Sequence, residues 1–125
     1  MKLEYLSDGS PECPLIRFYD FEQSEARQLL QLVQSIVTGE CQDIALHNET
    51  WVEPVAGCRL NLRLGTRNRG VRQAQPLRFE CVLNPDGWSN LEGLLEPFSE
   101  SDMSDFQWLT HDGKINLLIS RNGQW

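Results

Sequence analysis

The strongest constraint on how this chain folds lies between Gly57 and Asn84, where two alternating runs flank a basic connection. In Cys58-Arg59-Leu60-Asn61-Leu62-Arg63-Leu64 every even position is apolar and every odd one polar. Leu77, Phe79, Cys81 and Leu83 restore the period after the connection, with Arg78 and Glu80 between them. Successive strand side chains point to opposite faces, so a period of two marks a strand buried on one side. Two such runs in succession predict an antiparallel pair, with 65–76 as its solvated tip and Leu60, Leu62, Leu64, Leu77 and Phe79 in the core. The same stretch holds six of the chain's eleven basic residues: Arg59, Arg63, Arg67, Arg69, Arg72 and Arg78.

The clearest helix precedes this region. Ala26, Leu29, Leu30, Val33, Ile36 and Val37 recur at spacings of three and four, which places them on one face. Asp20 with Gln23 resembles a capping box, Ser24 is a second cap, and Gly39 is positioned to end the helix, giving a span of about 22–38. Short strands are expected at 2–6, 15–21, 43–47 and 50–55, the last interrupted by Pro54 and therefore at an edge. Asn84-Pro85-Asp86-Gly87 reads as a type I turn, after which Ser89 caps a short helix over about 89–96, limited by Gly93 and Pro97.

Asp112-Gly113 predicts a tight hairpin that pairs Thr110 with Ile115, Trp108 with Leu117 and Phe106 with Ile119. Strands in succession indicate an α+β fold: a mainly antiparallel sheet with the first helix packed on one face, in one domain spanning 1–125. At 125 residues the chain is long enough to bury a core without disulfides or metal.

Charge is unevenly spread. The net charge is −7, with ten acids against Lys2, Arg17 and Arg27 in residues 1–53, and six acids and no base in 86–105. The arginines between them are the one positive feature, and they set up the separation of charge that an interaction surface uses. No run approaches the roughly 18–20 apolar residues of a membrane span, and the N-terminal segment lacks the apolar core of a secretory signal. A cytoplasmic protein with no membrane contact is expected. Cys13, Cys41, Cys58 and Cys81 are then free thiols, with Cys58 and Cys81 on the apolar side of their strands.

Catalytic and metal-binding patterns are weak. The cysteines and His47 and His111 lack metal-ligand spacing, so no metal or cofactor is expected. Cys13 with a histidine, or a histidine with a carboxylate such as His111-Asp112, gives a small enzyme as one alternative, without a local signature. Gly65-Thr66-Arg67-Asn68-Arg69-Gly70 has neither the lysine end of a P-loop nor dinucleotide spacing. What remains is a non-enzymatic protein-interaction module that uses the sheet face and the 65–76 loop, with Arg59, Arg63, Arg67, Arg69, Arg72 and Arg78 as binding residues and Trp51, Trp88 and Trp125 as possible interface aromatics. The partner is an unidentified protein. Binding of nucleic acid or a phospholigand to the arginine face is the alternative, weakened for nucleic acid because no aromatic between Gly65 and Pro76 offers a stacking platform.

Overall fold

A computed structural model of the chain describes residues 1–102, 105–110 and 113–125. Nine strands and two helices follow in the order β1 (Lys2–Leu6), β2 (Leu15–Tyr19), α1 (Gln23–Val37), β3 (Asp43–Ala45), β4 (Glu53–Pro54), β5 (Arg59–Leu64), β6 (Gly70–Gln75), β7 (Arg78–Leu83), α2 (Pro85–Glu100), β8 (Phe106–Thr110) and β9 (Asn116–Ser120) among the described residues. The fold is α+β, but the strands form two sheets, β4-β1-β2-β9-β8 and β3-β5-β7-β6. The expected antiparallel character holds for β1–β2, β3–β5, β6–β7 and β8–β9. In contrast, β1–β4, β2–β9 and β5–β7 are parallel.

The central pair is the main correction. β5 and β7 are neighbours, as their matching periods suggested, but they run parallel, with Arg59 beside Arg78 and Leu64 beside Leu83. The intervening segment is not a hairpin tip. It carries the chain back as β6, which pairs antiparallel with β7 on the side away from β5. Alternation reports which face is buried and says nothing of strand direction. Leu60, Leu62 and Phe79 are buried as expected, and Leu64 is half-buried. Leu77 is not core: it occupies the β6–β7 turn with φ 60° and is 39 % exposed.

Helix α1 matches its expected span and buries Ala26, Leu29, Val33 and Ile36. Its cap is Glu22 rather than Asp20 or Ser24; Glu22 and Glu25 form a reciprocal capping box. Helix α2 is twice as long as its sequence suggested. Asn84 is its N-cap, accepting from the Gly87 N–H at 2.8 Å, and Pro85 opens the first turn. A type I turn and a first helical turn share backbone geometry, and Asn followed by Pro suits both. Gly93 and Pro97 both lie inside the helix.

The final hairpin differs in register, by one residue at Phe106 and Trp108 and by two at Thr110, which pairs with Leu117. Phe106 pairs with Ser120 and Trp108 with Leu118, and an irregularity before Thr110 brings Leu109 into the core. β9 is an interior strand buried on both faces (Leu117, Leu118 and Ile119), so alternation along it could not select the partner register. Phe106 consequently lies 40 % exposed. His111 and Asp112, half of the expected turn, lie outside the described residues.

One apolar cluster joins the inner faces of both sheets to both helices. Phe18, Leu62, Trp88, Leu91 and Leu117 surround the same small void, which marks where β2, β5, α2 and β9 converge. The sheets also meet directly where Tyr5 packs on Phe79, with ring centroids 4.5 Å apart, and where Val71 bridges Ile115. No helix among the described residues is long and apolar enough to cross a membrane.

Candidate functional site

The junction of the two sheets leaves a cleft of about 640 Å³ beside β6. Its floor and walls come from four parts of the chain: Tyr5 on β1, Pro14 before β2, Arg69 to Gln73 on and just before β6, and Gly113 to Ile115 before β9. Local chemistry explains how these meet. Asn68 accepts the Asn84 N–H at 3.0 Å and lies against Gly87, where a Cβ would come within 2.3 Å of its side-chain oxygen. The Arg69 N–H donates to the Val82 carbonyl at 2.9 Å. The turn that leads into β6 is thereby fixed to β7 and α2, and Arg69 and Arg72 project from an anchored frame. On the opposite wall, Gly113 has φ 80° and would place a Cβ 2.8 Å from the Arg69 carbonyl. Only glycine allows the two backbones to approach this closely.

Arg69, Arg72 and Lys114 line the cleft, and none of their side chains has a hydrogen bond or ion pair with a described residue; Arg72 stands opposite Glu80, which is itself engaged by Arg63. Arg17 shows the contrast. It donates to Glu4 Oε1 from Nε at 2.9 Å and from Nη2 at 2.6 Å, reaches the Gly123 carbonyl, and stacks over Tyr19 at 4.0 Å. Three like charges gathered around a concave, largely apolar surface create a local positive potential that an anion would relieve.

The remaining candidate residues are dispersed. Arg59, Arg63 and Arg78 lie on the outer face of the β5–β7 pair, and exposed Arg67 lies in the 65–69 turn. Arg63 is engaged with Glu80 at 3.0 Å and Asp43 at 3.5 Å; the Glu80 hydrogen bond, then the charges of Asp43 and Glu80, raise its pKa above the ordinary guanidinium value. Arg59 and Arg78 stand side by side without a counter-ion among the described residues. Of the tryptophans, Trp88 is fully buried and donates its indole N–H to the Arg63 carbonyl at 3.0 Å. Trp51 is half-buried against the core, and half-exposed Trp125 donates to Glu12 at 3.4 Å.

The Cys13 thiol lies 3.4 Å from Ser10 Oγ, and His47 Nδ1 lies 3.1 Å from the Leu60 N–H nitrogen and 3.3 Å from the Leu60 carbonyl. His111 is outside the described residues. No three His, Cys, Asp or Glu side chains among the described residues converge as metal ligands.

Tyr5, Gln73 and Lys114 belong to the cleft and were absent from the sequence candidates. Lys114 follows a turn signal, but nothing in the sequence ties it to Arg69, because that proximity depends on the contact between the two sheets at Val71 and Ile115. No family model, no curated protein and no solved structure matches the chain.

Proposed function

We propose that this chain is a non-enzymatic, cytoplasmic protein-interaction module whose basic cleft receives an acidic segment of a partner protein. One observation carries this: Arg69, Arg72 and Lys114 share a single cleft without a carboxylate partner among the described residues, in a chain with eighteen acids and only eleven bases. With acids in such excess, three neighbouring cations with no carboxylate partner among the described residues present charge that a ligand can complement. Guanidinium groups suit carboxylates because their planar N–H forks match the two oxygens. The net charge of −7 over the whole chain disfavours nucleic acid, and Tyr5 is the one aromatic ring lining the cleft among the described residues.

Fluorescence anisotropy with a labelled peptide of alternating glutamate and valine tests this. Binding is expected at about 50 mM salt, weakening as salt rises to about 300 mM through screening. The Arg69→Ala/Arg72→Ala/Lys114→Ala variant should bind at least about tenfold more weakly while keeping its unfolding free energy within about 0.5 kcal/mol, since these side chains hold nothing else together. A mixed-sequence oligonucleotide should produce no shift. Equal peptide binding by both proteins, or none by the wild type, would refute the proposal.

A further inference from the structure

We infer that the cleft takes its partner as an added β-strand: an extended acidic segment that lies along the open edge of β6. This rests on the cleft being a protein-binding site and goes on to specify the form of the ligand. β6 is the last strand of its sheet; one edge pairs with β7, and the other meets the Gly113–Ile115 segment at Val71, through the bridge to Ile115 and the close approach of Gly113 to the Val71 carbonyl. Beyond that bridge Arg72 to Gln75 are all exposed. Extended residues at a sheet edge present unpaired N–H and C=O groups, and an incoming backbone in extended form can satisfy them.

The geometry also limits what can enter. Gly113 and Ile115 block the edge at the Val71 end, so the added strand has the run from Arg72 to Gln75, regular at Arg72 and Gln73 and irregular where the ladder with β7 shifts register between Gln73 and Gln75. At about 3.3 Å per residue this accommodates a segment of roughly four to six residues. Its side chains alternate between two environments. One set falls on the side of Arg72, which faces outward opposite Glu80. The other falls on the side of Gln73, opposite Phe79, where Tyr5 and Pro14 supply apolar surface. The favoured pattern is therefore acidic and apolar in alternation, with Arg69 and Lys114 at the closed end to hold one further carboxylate. Charge also explains why this edge need not pair with its own kind: two copies would bring Arg72 against cationic surface, while an acidic strand is drawn in.

The test uses the same glutamate–valine peptide with its backbone N-methylated at alternate residues, in two complementary sets. In a paired strand successive amides point to opposite edges, so one set blocks the hydrogen bonds to β6 and the other leaves them intact. One set should weaken binding about tenfold or more and the other should bind as the parent does. Amide hydrogen exchange over Arg72–Gln75 should also slow in the complex. If the unmodified peptide binds through the three cations but the two sets behave alike, or exchange is unchanged, strand addition is overturned while the cleft remains a protein-binding site. If the unmodified peptide does not bind, the cleft assignment itself falls.

Discussion

Cys58 shows at the scale of one residue how burial governs chemistry in this chain. Its side chain is fully enclosed, and desolvation, reinforced by the Glu4 carboxylate, pushes the thiol up from 9.0 to about 12. Unfolded, the thiol ionises from about pH 9; folded, it keeps its proton to about pH 12. Between those values the unfolded chain binds fewer protons, so stability falls as pH rises, and the contribution is intact below pH 9. Denaturant titrations across this window should show the wild type losing stability more steeply than Cys58→Ala, and parallel curves would contradict the assignment. The burial of Cys58 was legible because it follows from strand alternation. The position of Leu77 was not. It keeps the alternating spacing, yet the chain reverses there, and a residue in the left-handed region belongs to the turn rather than to the strand. Trp88 illustrates the opposite error, since misreading one cap as a turn placed a core side chain among the candidate surface aromatics.

Among the elements, α1 was readable because its apolar spacing and its terminating glycine agree, although its cap is Glu22 and not Asp20 or Ser24. α2 was shortened because Gly93 and Pro97 were taken as stops. An internal glycine costs only about 1 kcal/mol relative to alanine, and Pro97 falls in the last turn, so contact with α1 and the core can offset both. The N-cap then carries more weight than an internal residue. Asn84→Ala removes the acceptor for the Gly87 N–H and should lower the unfolding free energy by about 1 kcal/mol in urea titrations, whereas Asn84→Asp should preserve most of it. A negligible effect in the alanine variant would mean that the first turn is held by packing alone. The elements of the cleft were legible only in part. Arg69 and Arg72 stood out by local density, but their separation from Arg59 and Arg63 follows from β6 lying at the edge with β7 between it and β5.

At the scale of the whole molecule, the α+β class was legible and the division into two sheets was not, because alternation shows which residues turn inward without showing which sheet receives them. The same partition generates the cleft, which has no counterpart in any one sequence segment. The order β5-β7-β6 also implies a timetable for assembly. β7 occupies a place between two strands that both precede it in the chain. Its antiparallel pairing with β6 closes across Pro76 and Leu77, whereas its pairing with β5 must await the return of the whole intervening segment. The cheaper loop closure comes first, so the β6–β7 hairpin should form early and dock onto β5 as a unit. In stopped-flow experiments Pro76→Ala should chiefly slow folding, and Leu60→Val on β5 should chiefly accelerate unfolding. The reverse pattern would mean that β5 and β7 meet first and that β6 is added last, as the closing strand.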